Sequence, residues 1–129
     1  MLESPNARDI LRSLATNKAV TLFRNNVGKA WQGDTARHGA DVLVKNARLI
    51  SFGLFKGSSD YIGWTSVRIT QSMVGSLVAV FTALETKRTK GGKKSEEQEH
   101  FIKAVKEAGG LAGFAQTPAD AARIVNGED

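Results

Sequence analysis

The chain has 129 residues, 41% of them hydrophobic and 24% charged, a balance that suits one soluble folded domain and excludes a wholly disordered chain. It has no cysteine, which excludes disulfides and thiolate zinc sites and leads one to expect a reducing, cytoplasmic compartment. A formal net charge of +5 and a pI near 9.7 favour a polyanionic partner, nucleic acid first and an acidic membrane surface second. No apolar run approaches the length of a membrane span, and Met1-Leu2-Glu3-Ser4-Pro5 does not read as a signal peptide, so neither a membrane-spanning nor a secreted form is expected, and nucleic acid is preferred to a membrane as the partner.

In chain order, the first expected element is a short amphipathic helix. Ser4 can cap it, Pro5 suits its first position, and Ala7, Ile10, Leu11 and Leu14 share a face. Val20–Arg24 reads as a strand running into the turn Asn25-Asn26-Val27-Gly28. The polar, glycine-containing stretch from Lys29 to Ala40 reads as a surface loop, carrying Trp31, Arg37 and His38. Val42 to Phe52 has strand character interrupted at Asn46. A glycine turn, Gly57-Ser58-Ser59-Asp60, then feeds an apolar strand starting at Tyr61.

The run Leu77–Lys87 is rich in β-branched and apolar residues and predicts a further strand, with Ser72–Ser76 as the turn before it. Antiparallel pairing across that turn would bring Asp60 near Glu85. Lys87, Arg88, Lys90, Lys93 and Lys94 make a basic turn around Gly91-Gly92. A helix follows Ser95, with Glu96, Glu97 and Glu99 in its first turns and Phe101, Ile102, Val105 and Ala108 on its apolar face, and Gly109-Gly110 stops it. Leu111–Gln116 reads as a strand and Thr117-Pro118-Ala119-Asp120 opens a last helix. The whole predicts one α/β domain over residues 1–129, a central mixed sheet flanked by helices in the order α-β-β-β-β-α-β-α.

Glu85-Thr86-Lys87 carries the chemistry. Alternation along a strand puts Glu85 and Lys87 on one side with Thr86 opposite, an acid and an amine side by side. Such a pair is either a structural ion pair on a sheet face or half of a metal-dependent phosphodiester-cutting site, and Asp60 supplies the second carboxylate the latter needs. An acid-x-Lys triplet alone is unspecific in a chain this rich in both.

Taken in order, Arg24-Asn25-Asn26, Phe52-Gly53-Leu54, Gly57-Ser58-Ser59-Asp60, Glu85-Thr86-Lys87 and Gln98 resemble the virus-type replication-repair nuclease (VRR-NUC) domain, a branch of the PD-(D/E)xK or restriction-endonuclease-like nucleases. The resemblance runs from Glu3 to about Ile124 and is to the stand-alone viral type. It implies a restriction-endonuclease-like core and Mg²⁺- or Mn²⁺-dependent hydrolysis of DNA by a homodimer similar to Holliday-junction resolvases. It also implies catalytic roles for Asp60, Glu85, Lys87 and Gln98, with Asp60, Glu85 and the Thr86 carbonyl as metal ligands and Glu3 joining them. Glu3 departs from the family pattern, since Ser4 and Pro5 place it just outside the first helical turn.

Gln98 has two expected roles: partner of Ser95 in a capping box, or a group facing the site beside Lys87. Lys90, Lys93 and Lys94 either grip DNA phosphates or are a solvated turn, and Arg24 and Asn26 either contact the DNA backbone, brace Glu3 or are simply solvated. Three functional classes follow: a junction-resolving endonuclease, a flap or nicking nuclease without junction preference, and a non-catalytic DNA-binding module.

Overall fold

The computed structural model describes residues 5–88 and 90–128. The elements run α1 (Pro5–Ala15), β1 (Val20–Arg24), β2 (Gly28–His38), β3 (Asp41–Phe52), β4 (Tyr61–Thr65), a 3-10 turn at Gln71–Met73, β5 (Thr82–Thr86), α2 (Glu96–Glu107), β6 (Leu111–Ala115) and α3 (Pro118–Val125). The protein is mixed α/β, and no described helix is long and apolar enough to cross a membrane. The contacts group into two compact units, one within Met1–Thr21 and Trp64–Asp129 and the other Leu22–Gly63.

Among the described residues the strands form three two-stranded ladders, β1–β4, β2–β3 and β5–β6, where one central sheet was expected. The Asp60 strand β4 therefore bonds to β1, and the Glu85 strand β5 bonds to β6, in place of the expected antiparallel pair. The physical reason lies in ladder length. β6 offers five residues, pairing in parallel from Thr82↔Leu111 to Thr86↔Ala115, so only the last part of the apolar run 77–87 finds a partner. Parallel pairing also requires a crossover, and α2 provides it.

In the first unit, α2 lies between β5 and β6 in sequence and its ends are well defined. Ser95 caps it in a reciprocal box with Gln98. At its C-terminus Gly109 takes φ +97, its N–H reaching the Lys106 carbonyl while the Gly110 N–H reaches Val105, the pattern of a Schellman motif. A Cβ at Gly110 would lie 2.7 Å from Val105 Cγ1 and 2.8 Å from the Phe81 carbonyl, so the helix enters β6 through a space that only glycine fits. Val105, Ala112 and Ala115 are the buried apolar residues among those described. Trp64 packs its ring 4.9 Å from Phe81 and 6.4 Å from Phe101, joining the end of β4, the start of β5 and α2. In α1 the half-buried Ala7, Leu11 and Leu14 keep the expected face, while Ile10 is exposed. α3 begins at a second capping box, Thr117 with Asp120, as its sequence predicts.

In the second unit the stretch from Lys29 to Ala40, expected as a loop, is strand β2, which makes a fifth strand ahead of α2. It pairs antiparallel with β3 from Gly28↔Phe52 to His38↔Asp41. Gly39, at φ +60, and Ala40 form the two-residue turn, with glycine at the first central position as a type II′ hairpin needs. A bulge sets Asn46 and Ala47 against Gly33 alone, and Asn46 takes φ +52 there. The Asn46 Nδ2 donates to Asp34 Oδ2 at 3.0 Å across the strands, which accounts for the interruption visible in the sequence.

Candidate active site

β5 presents Ala83 and Glu85 on the side that meets α2, and Lys87 follows on the same side just past the strand. The Lys87 backbone N–H still bonds to the Ala115 carbonyl, 2.9 Å, which holds Lys87 in register beyond β5. Its ammonium is nearly buried, the side chain 11% exposed, against 36% for Glu85. A cation so covered is costly unless partners replace its water. Here Nζ donates to Gln98 Oε1 at 2.6 Å and lies 3.4 Å from Glu85 Oε1. It also stands 5.8 Å from the centroid of Phe114, the residue opposite Glu85 in the ladder.

Gln98 joins these groups. Its Nε2 donates to Glu85 Oε1 at 2.7 Å, and its Oε1 also accepts the Ser95 N–H at 3.1 Å. Ser95 N–H and the Lys87 ammonium are donors only and an ionised Glu85 accepts only, so one amide orientation satisfies all three. The Ser95 hydroxyl completes the cap by accepting the Gln98 N–H at 3.1 Å. Gln98 thus makes both sets of contacts: it caps α2 and bonds to both members of the Glu85–Lys87 pair.

The described contacts of the Glu85 carboxylate both fall on Oε1. Glu85 also borders an open cleft of 380 Å³ between β5 and α2, floored by Ala83, Phe101 and Ile102. Its Oε2 and the Thr86 carbonyl are oxygen donors of the hard kind that Mg²⁺ and Mn²⁺ take, and so suit part of such a site. Among the described residues no three His, Asp or Glu side chains gather into a metal-holding group. Glu3 lies outside the described residues.

Asp60 belongs to the second unit, immediately before β4. Its carbonyl accepts the Asn25 N–H at 2.7 Å. Asn25 does more: its Nδ2 donates to Ser58 Oγ at 2.7 Å and to the Ser59 carbonyl at 2.8 Å, and its Oδ1 accepts the Leu54 N–H at 3.1 Å. One side chain thereby ties the segment 54–60 that leads into Asp60. Reading the residues singly misses Asn25, although an Asn in a turn is a usual source of local backbone bonds. Asn25→Ala is expected to lower stability by about 1–3 kcal/mol in thermal melts, and a melting point equal to that of wild type would show that these bonds add nothing to the fold.

Arg24 and Asn26, candidates for DNA contact, bond to each other, Arg24 Nε donating to Asn26 Oδ1 at 2.9 Å. Arg24 also donates to the Tyr61 hydroxyl at 2.9 Å and lies over that ring at 5.5 Å. In the basic turn, Lys94 sits 4.7 Å from the centroid of Phe114, the ring that also faces Lys87, so it is anchored beside the pair. Lys90 and Lys93 are exposed. Gly92 lets this turn fold back, since a Cβ there would lie 2.8 Å from the Arg88 carbonyl and 3.1 Å from Lys87 Cβ. Phe114 is a neighbour of the pair that carried no signal in the sequence, because an aromatic on a short strand reads first as core. Comparison with protein-family models, with curated proteins and with solved structures finds no match to this chain.

Proposed function

We propose that the protein is a divalent-metal-dependent DNA endonuclease of the virus-type replication-repair kind, built on a restriction-endonuclease-like core and acting on branched DNA as a homodimer. The observation that carries this reading is the nearly buried Lys87 ammonium held beside the Glu85 carboxylate by Gln98, at the mouth of an open cleft. An ion pair serving the fold alone needs neither an unused carboxylate oxygen nor a cleft. Glu85, with Asp60 and the Thr86 carbonyl, would hold Mg²⁺ or Mn²⁺, and Asp60 enters this set from the sequence order and the resemblance it carries. When bound, the ion supplies an acidified water and neutralises charge on the scissile phosphate.

The chain's own groups do the remainder. An ammonium has three N–H donors, and the contacts of Lys87 with Gln98 and Glu85 use at most two, leaving one for the attacking water or a phosphate oxygen. Gln98 keeps that amine from collapsing onto the carboxylate alone. Lys90, Lys93 and Lys94 grip backbone phosphates beside the site, a contact without base preference. A two-fold dimer with two such sites matches a two-fold symmetric junction.

The test is cleavage of labelled four-way, flap and linear DNA with Mg²⁺ or Mn²⁺. Junction cutting that chelator abolishes is expected. Equal cutting of every substrate would retain the nuclease and remove the junction preference. Binding without cutting under either metal would make the protein a DNA-binding module.

A further inference from the structure

The β2–β3 ribbon is long, and one of its faces is unusual. Register and alternation put Lys29, Trp31, Thr35 and Arg37 of β2 together, with Leu49 opposite Trp31 and Val42 opposite Arg37. Both acids of β2 and β3, Asp34 and Asp41, fall on the other face, where Asp34 pairs with Lys45 in the ladder. The Trp31 face therefore holds two cations and no carboxylate. Trp31 is 62% exposed, and Leu49 opposite it 52%. Tryptophan is seldom left so open on a sheet face without a partner to cover it. Its counterpart Trp64 is packed against Phe81 and Phe101.

We infer that this face is a nucleotide-stacking platform, on which Trp31 takes an unpaired or splayed base of branched DNA while Lys29 and Arg37 hold the flanking phosphates. The inference rests on DNA being the substrate, and it adds a surface separate from the Glu85–Lys87 pair. An indole offers a large flat π-face to any base, so stacking needs no sequence match, and bases at a branch point are the ones free to leave the helix. Lys29 and Arg37 are eight residues apart along β2, a reach of about 26 Å at strand rise, enough to meet phosphates on both sides of a branch. Arg37 spends Nε on the Gly39 carbonyl at 3.2 Å, which fixes it at the ribbon tip and leaves its other N–H groups for phosphate. The absence of acid on this face favours a polyanion over a second copy of a chain whose own net charge is +5.

Intrinsic fluorescence and binding test it on the whole protein, with Ca²⁺ in place of Mg²⁺ so that DNA is bound and not cut. A four-way junction is expected to quench Trp31 emission, read as the difference between wild type and Trp31→Phe, and a linear duplex of one arm to quench it far less. Trp31→Ala should weaken junction binding ~10- to 100-fold while duplex binding changes little. Lys29→Ala with Arg37→Ala should lower the slope of log affinity against log salt by about two. Trp31 is exposed, so circular dichroism and melting of these variants should match wild type. A junction that leaves Trp31 emission unchanged, with Trp31→Ala binding as wild type, overturns the inference while the nuclease reading stands. A change of Trp31 emission with protein concentration alone assigns the face to a second copy and overturns it too. If wild type binds no DNA, both readings fall together.

Discussion

Glu85→Gln is expected to reduce single-turnover DNA cleavage at least ~10³-fold, about 4 kcal/mol of barrier, with junction binding retained. The amide keeps the shape of the side chain and removes its charge, so any metal held through Oε2 is lost while the cleft is not filled. Lys87→Ala should cost a similar factor through the amine. Both variants should also melt lower. Glu85→Gln leaves the Lys87 ammonium, on a side chain only 11% exposed, without its counter-charge, a cost on the order of 1–3 kcal/mol once the greater exposure of Glu85 is allowed for.

Stability and cleavage can be separated. The double variant Glu85→Gln, Lys87→Met replaces the pair by groups that need no mutual neutralisation, and such replacements are often neutral in stability. It should recover most of the melting temperature of wild type and none of the cleavage. If instead the single variants cut DNA at the wild-type rate and only melt lower, Glu85 and Lys87 are a structural ion pair, and the proposed chemistry is wrong.

Much of the scaffold around this pair was legible in the residues. The limits of α2 follow from Ser95 and Gly109-Gly110, and those of α3 from Thr117-Pro118, because caps and glycine stops act through bonds within a few residues. Strand partners were not legible in the same way. The apolar run 77–87 says that a strand is possible, but its partner β6 lies some 25 residues further on and sets how much of the run is laddered. β2 was hidden for a different reason. It is exposed along almost its whole length, so it shows none of the apolar alternation that marks a half-buried strand. Its turn, Gly39-Ala40, was the remaining signal.

The site divides along the same line. Glu85 and Lys87 share a face by simple alternation, so their contact could be anticipated from spacing alone. The partners that fix them could not. Gln98 lies 11 residues from Lys87 and 13 from Glu85, and Phe114 reaches the pair only through the parallel ladder. Asn25 reaches the Asp60 segment over more than 30 residues. Contacts of that range depend on which elements meet, and a local pattern does not carry them.

Gln98→Glu separates the two roles of one side chain and is the sharper experiment on the site. Glutamate serves as well as glutamine at the third position of a capping box, so the Ser95 N–H keeps its acceptor and α2 its start. It can still accept from Lys87, but it cannot donate to Glu85, and a second carboxylate would face Glu85 Oε1 where Nε2 now sits at 2.7 Å. Lys87 would be drawn between two carboxylates. Cleavage is therefore expected to fall ~10²-fold or more with little change in helix content. Gln98→Ala loses both roles, so it should fall in rate to a similar degree and also lose about 1 kcal/mol of stability with the cap. Equal cleavage by wild type and Gln98→Glu would show that the amide serves the helix alone, and the organisation of Lys87 would then have to come from Glu85 and Phe114 without it.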